Sequence, residues 1–288
     1  MFNSFSKSIL FAPLLSLLLG GILVASCGDD DNEEDVQTYS SNQNGGNNGG
    51  SNGSGSEKDF PGKVYTVNGV SFKMIAVRGG TFQMGSDDSY ENLRPVHQVT
   101  LSDYYIGETE VTQELWTAVM GSNPSHFTGN MQLPVENVSW YDCQTFISRL
   151  NQLTGKTFRL PTEAQWVYAV RGGNKSKGYT YSGSNEIDEV AWYYDNSDLT
   201  THPVKTKAPN ELGIYDMTGN VFEWCSDWYG PYSSAAQTDP TGPATGDYRI
   251  NCGASWLSSA EDCLFVAYGG SSCPPALVTA DSGLRLAY

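Results

Sequence analysis

Apolar positions along the chain change their period several times, and each change marks an element. Residues 70–78 alternate, with β-branched and aromatic side chains, and Gly79-Gly80 leads into Thr81-Phe82-Gln83-Met84-Gly85, a pattern that predicts a hairpin. Residues 97–106 give another strand. Thr112 is placed to cap a short helix over 113–120, and Glu114 suits the positive end of that helix. From Ser139 the period becomes helical. Trp140, Cys143, Phe146, Ile147, Leu150 and Leu153 share one face over 140–153, which predicts a helix packed on the core. Thr162, three before Gln165, forms a capping box for a helix through Arg171, between Pro161 and Gly172-Gly173. Beyond it the helix signals stop. The rest reads as loops and short strands rich in Gly, Pro, Asn and aromatics, which makes an α+β domain with few regular elements and many loops.

The last stretch, 247–288, has two ordered ends and an odd middle. Tyr248-Arg249-Ile250-Asn251 is strand-like and runs into Gly253-Ala254-Ser255-Trp256, and the chain closes on Gly283-Leu284-Arg285-Leu286-Ala287-Tyr288. Between them, residues 262–282 contain no Met, Trp, Gln, Lys or Glu, although those five types supply 46 of the 288 residues. Independent draws would leave such a gap only about one time in forty. This middle tolerates a restricted but varied set of residues.

At the other end, Lys7 precedes an apolar run over residues 9–25 that is too short and too Ser/Gly-terminated for a permanent membrane span. It ends in Val24-Ala25-Ser26-Cys27, which resembles a bacterial lipobox; the resemblance implies that 1–26 is a lipoprotein signal peptide and that Cys27 is lipidated. An acidic run, Gly28-Asp29-Asp30-Asp31-Asn32-Glu33-Glu34-Asp35, and a Ser/Asn/Gly-rich stretch follow. They cannot bury enough apolar surface to repay their ordering entropy, so 27–60 reads as a tether. The acidic run resembles the surface-export signal of Bacteroidota lipoproteins, implying an outer-membrane, lipid-anchored protein at the cell surface.

Residues 61–288 suffice for one domain with a sizeable core, as the seven Trp and 17 Tyr suggest. The net charge of −16 argues against nucleic acid as a partner. Apart from Cys27, five cysteines remain, at 143, 225, 252, 263 and 273, with no CxxC or Cys/His spacing of a zinc site; connectivity among them stays open. The three histidines, His97, His126 and His202, lie far apart and read as ordinary surface or core residues.

Several motifs occur in the order seen in the formylglycine-generating enzyme family: Phe82-Gln83-Met84-Gly85, Glu108-Thr109-Glu110-Val111-Thr112, Phe158-Arg159-Leu160-Pro161-Thr162-Glu163-Ala164-Gln165-Trp166, and Gly213-Ile214-Tyr215-Asp216-Met217-Thr218-Gly219-Asn220-Val221-Phe222-Glu223-Trp224. The resemblance covers nearly all of 70–288 and implies that family's C-type lectin-like fold. It also implies where a copper-dependent oxidase would keep two cysteines, soft ligands suited to Cu(I). Those positions fall on Ser258 and Cys263, so one thiolate is missing, Cys252 or Cys273 would have to be folded in to replace it, and copper is not expected. Asp216, Gly219, Val221 and Glu223 match a calcium site of the family, two carboxylates and two carbonyls supplying hard oxygens, so structural calcium is an expectation. A second calcium site would need an Asn where Val190 stands.

The tail further resembles the variable proteins of diversity-generating retroelements, in which adenine positions are randomised and an AAY codon becomes NNY. NNY encodes none of Met, Trp, Gln, Lys or Glu, the set missing here. The resemblance implies a non-catalytic, surface-anchored binder whose variable face is formed or bordered by Leu257, Ser258, Ser259, Asp262, Leu264, Val266, Tyr268, Gly269, Gly270, Ser271 and Ser272, with an external protein or surface ligand as partner. The alternatives are a sulfatase-modifying oxidase with altered cysteines, or an inactive paralogue serving as a structural component of a surface complex.

Overall fold

The computed structural model describes residues 60–87, 91–267 and 269–288; the leader, Cys27 and the tether lie outside them. Strand β1 (Lys63–Val67) turns at Asn68 and Gly69, with φ of 48° and 85°, into β2 (Val70–Val77), with which it pairs antiparallel from Val67 against Val70. Two left-handed residues in a two-residue turn match the twist of an antiparallel pair, which is why Asn-Gly closes this hairpin. The next strands are β3 (Gly80–Met84), β4 (His97–Leu101) and β5 (Tyr104–Gly107).

The hairpin expected across Gly79-Gly80 does not form. β2 pairs with β1 and β5, whereas β3 pairs with β4. A Cβ on Gly79 would collide with the Leu101 carbonyl, so that glycine marks a close crossing of two backbones. The single strand expected over 97–106 is likewise two. It breaks at Ser102-Asp103, where Asp103 accepts the Gly79 amide at 2.8 Å and the Ser102 amide turns away to Asp239, also at 2.8 Å.

Three helices form where their caps predict. Thr112 caps α1 (Gln113–Met120), accepting the Leu115 amide, and Gly121 ends it at φ 81°. Ser139 caps α2 (Trp140–Thr154) in a reciprocal box with Asp142. Its buried face is Cys143, Phe146, Ile147 and Leu150; Leu153, expected on that face, is 51% exposed because the apolar stripe rotates off the core in the last turn. Thr162 and Gln165 box the start of α3 (Glu163–Val170), every residue of which is buried.

After α3 come a short helix α4 (Ile187–Val190) and the parallel strand pair β6 (Ala191–Trp192) and β7 (Thr218–Gly219). The central strand, β8 (Phe222–Trp228), follows. β9 (Gln237–Thr238) joins β4 in parallel. β10 (Arg249–Cys252) lies antiparallel to β8. Helix α5 (Ala260–Phe265), β11 (Ser271–Cys273) and β12 (Ser282–Gly283) complete the tail, giving the sheet order β11-β10-β8-β12.

Alternation along β8 sends Trp224 into one apolar cluster, with Phe146, Leu150, Leu160, Leu284 and Leu286, and Cys225 into another, with Trp166, Met217, Ile250, Cys252 and Val266. The central strand is thus buried on both faces. Short strands, few helices and long connections make this the expected α+β domain. One reading of the tail holds and one needs correction. The strand over 248–251 forms as β10 and gives way at Gly253-Ala254-Ser255-Trp256 to a loop, held by the Trp256 amide on the Asn220 carbonyl at 2.8 Å. And the patternless middle contains α5, started by a capping box of Ser259 with Asp262.

Candidate functional site

The tail rests on a buried ion pair. Arg285, fully enclosed, donates from Nε and Nη2 to both oxygens of Glu223 at 2.7 to 3.0 Å, from Nη1 to the Gly107 carbonyl at 3.0 Å, and from Nη2 to the Tyr215 carbonyl at 2.8 Å. Trp166 Nε1 adds a bond to Glu223 at 2.6 Å. Beside this pair, Glu110 accepts the Asn220 side chain at 2.7 Å and the Val221 amide at 3.1 Å. Burial, then the neighbouring carboxylates of Asp216 and Glu223, push the Glu110 carboxyl well above its usual range. Burial also pushes Asp216 up to about 6, against the Lys205 amide and Arg285.

Calcium was expected on Asp216, Gly219, Val221 and Glu223. The residues are close together, but the positive charge among them is the Arg285 guanidinium. Both Glu223 oxygens are engaged, and an ion using that carboxylate would have to displace Arg285 and Trp166. Among the described residues no group of three or more His, Cys, Asp or Glu could hold a metal. As arranged, this set does not fit calcium.

The two positions aligned with copper ligands are no better suited. Ser258 is buried, with its hydroxyl accepting the Ser255 amide at 3.0 Å. Cys263 is fully buried, and burial, then Asp262, push its thiol up to about 12. Cys252 and Cys273 are raised by burial to about 11. None of the five cysteines of the domain is bridged as arranged here.

The expected binding positions separate into two sets. Leu257, Ser259, Asp262, Leu264, Ser271 and Ser272 are exposed. Ser258, Val266 and Gly270 are interior: Val266 belongs to the Trp166 cluster, and a Cβ on Gly270 would lie 2.8 Å from the Asn251 carbonyl and 2.9 Å from Cys252 Sγ. Gly269 is half-buried, and Tyr268 lies outside the described residues. The causes are local: the Ser255 amide holds Ser258 inward, Val266 follows α5 into the Trp166 cluster, and Gly270 lies against β10, so exposure skips positions. Ser259 and Asp262 face solvent while also capping the helix.

Sequence reading missed Leu277 and Val278. Of the twelve exposed large hydrophobic side chains among the described residues, five lie in the tail: Tyr248, Leu257, Leu264, Leu277 and Val278. Runs of apolar residues outside any period were the available signal. Also missed was a cavity of about 210 Å³ walled in part by Met84, Trp228, Tyr232, Glu163 and Asp227. Glu163 Oε1 accepts the Tyr232 hydroxyl at 2.7 Å and the Gly270 amide at 2.9 Å, tying the tail down here. Burial pushes Glu163 up to about 7, against those bonds, and Asp227 up to about 6.

Comparison with known proteins matches residues 66–288 to the sulfatase-modifying factor enzyme 1-like domain. The chain is 36% identical over 267 residues to Chaperone protein LppX of Paenibacillus barcinonensis, covering 75% of this chain and 89% of that protein. It is 35% identical over 258 residues to the formylglycine-generating enzyme of Streptomyces coelicolor, covering 66% and 80%. Among solved structures, variable protein 1 of Treponema denticola superposes with a TM-score of 0.73 at 36% identity, covering 78% of this chain and 98% of the other.

Proposed function

The chain belongs to the sulfatase-modifying factor enzyme 1-like family, with the C-type lectin-like fold of formylglycine-generating enzymes and of a retroelement-type variable protein, and from that premise we propose that it is a non-catalytic binding protein. Its ligand-binding face is the exposed part of 257–278. It is carried outward from the outer membrane by the lipidated Cys27 and the tether over 27–60, and it meets an external protein or surface ligand. The observation that carries this reading is the concentration of exposed apolar side chains on a tail that also sends Ser258, Val266 and Gly270 into the core. Such side chains are what a contact surface uses, and neighbours sealed in the core let them change without unfolding the domain.

Two further observations support it. The first of the two aligned copper positions is a serine hydroxyl already bonded to the Ser255 amide, so the cysteine pair of the family's oxidase chemistry is incomplete. The likeness to a variable protein spans nearly all of that protein. The test is genetic and chemical together. The DNA beside the gene should carry a near-copy of the codons for 250–288, differing at adenines, next to a reverse transcriptase gene. The purified chain should form no aldehyde from a Cys-containing sulfatase peptide with copper and oxygen. Stoichiometric Cu(I) binding lost in Cys263→Ala, with aldehyde formation, would overturn the reading. The likeness to a chaperone favours a second use of the same face, holding a client protein, in which case the tail codons have no adenine-variant copy and the partner is fixed.

A further inference from the structure

We propose that Cys225 and Cys252 are a disulfide-forming pair that cross-links β8 to β10 beneath the tail. Their sulfurs lie 3.5 Å apart, both are fully buried, and this is the one thiol-to-thiol contact among the described residues. The pairing of β8 with β10 explains why they meet. Cys252 stands opposite Glu223, so Cys225, two residues further on, points to the same face. The ladder then becomes irregular, with Asn251 against Trp224 but Arg249 against Trp228, leaving three residues of β8 facing Ile250 alone.

The bulged residues find partners outside the sheet. The Cys225 carbonyl accepts Trp140 Nε1 at 2.9 Å, the Ser226 amide reaches the Pro161 carbonyl at 2.9 Å, and the Ser226 carbonyl accepts Arg249 at 2.6 Å. A satisfied bulge is a built feature that re-aims a side chain. Here it brings the Cys225 sulfur to Cys252. Closing the gap to a covalent bond of about 2.05 Å takes a movement of about 1.5 Å shared between two side chains. Cys143 sits in the other apolar cluster, and Cys263, though in the same cluster, makes no sulfur contact.

The oxidant is an external disulfide, small or protein-borne. The Cys252 thiolate attacks it, giving a mixed disulfide and releasing one thiolate; the Cys225 thiolate then attacks the Cys252 sulfur and releases the second. Two electrons pass from the cysteine sulfurs to the external disulfide, and the two cysteine protons end on the two released thiols. In the folded chain burial holds both thiols protonated and Gly270 covers Cys252, so exchange belongs to folding, before the tail closes. The same cover then protects the bond from reductants. It closes the loop over 225–252, which includes Tyr232 and β9. This inference is independent of the binding role proposed above.

The full chain, folded in a mixture of reduced and oxidised glutathione, is quenched in acid, alkylated under denaturing conditions and mapped by mass spectrometry. The expected result is Cys225 linked to Cys252, with Cys143, Cys263 and Cys273 alkylated. Unfolding the protein in urea with dithiothreitol and refolding it reduced should lower the Tm by roughly 5–10 °C and leave the Cys225→Ala/Cys252→Ala variant unchanged. Alkylation of both Cys225 and Cys252 in the unaltered protein, or a bridge from Cys252 to Cys263 or Cys273, overturns the proposal. If the double variant fails to fold, the peptide map of the unaltered chain decides.

Discussion

Residues 282–287 are buried without exception, and within them Arg285 binds Glu223, Gly107 and Tyr215, whereas between 257 and 278 interior and exposed positions are mixed, and Leu257, Leu264, Leu277 and Val278 stand in solvent. Both stretches belong to one tail, and both join the sheet of β8, yet one is held by charge and carbonyls and the other by a few inserted side chains. The difference teaches that in this fold the capacity to vary and the capacity to hold together occupy separate residues a short distance apart.

The comparison predicts its own hierarchy of losses. Arg285→Met strands the Glu223 carboxylate in the core and should cost about 3–5 kcal/mol in urea unfolding, or abolish soluble protein; adding Glu223→Leu should recover part of that loss. Gly270→Ala, a one-methyl change within the exposed-looking stretch, should cost roughly 1–3 kcal/mol, because the Cβ meets Ile250, Asn251 and Cys252. A Tm within 1 °C of the original would show that Gly270 belongs with the variable set after all.

The seam between the two regions should respond to pH. Burial places the folded Glu163 carboxyl near 7, above about 4.3 for an unfolded Glu, so the folded chain binds that proton more tightly. The stabilisation is complete below the unfolded value and is lost as pH rises through about 7. Glu163→Gln, which can still accept from Gly270 and Tyr232, should flatten this dependence, so that the fall in Tm from pH 5 to pH 8 is smaller than in the original by roughly 2–4 °C.

Smaller effects test the permissive side. Leu264→Ser and Ser272→Asp, singly, should each change stability by less than about 0.5 kcal/mol in the same urea assay. Added millimolar calcium should move the Tm by less than about 1 °C, since Arg285 already balances Glu223; a larger rise would mean that the ion can displace the guanidinium.

Much of the scaffold was legible because its signals are local. Thr112, Ser139 and Thr162 announce their helices within four residues, and each helix begins where its cap stands. The same signature at Ser259 and Asp262 was passed over because only six helical residues follow it, too few to show a period. The Asn68-Gly69 turn was equally local and equally available. Gly79 misled for a different reason: a glycine required by the backbone crossing at Leu101 looks in sequence like a glycine required by a turn. At the site, composition singled out a segment but could not sort its members. Whether Val266 or Leu264 faces the core depends on where α5 starts, and that is settled by contacts with Trp166 and Ile250 that are distant in the chain.

The last residues also set an order of events during synthesis. The carbonyls of Leu284, Leu286 and Tyr288 accept the amides of Val111, Gly107 and Tyr105, and Ala287 exchanges amide and carbonyl bonds with Arg159. Strands made early thus wait for partners made about 180 residues later, and at about 5–20 residues per second that wait is on the order of ten seconds or more. A chain that emerges N-terminus first can form the β1–β2 hairpin and α2, but β5 keeps an unpaired edge until residue 288 has emerged. Chaperoning of that edge, not of any late step in the tail itself, is where biosynthesis of this protein is most exposed to misassembly.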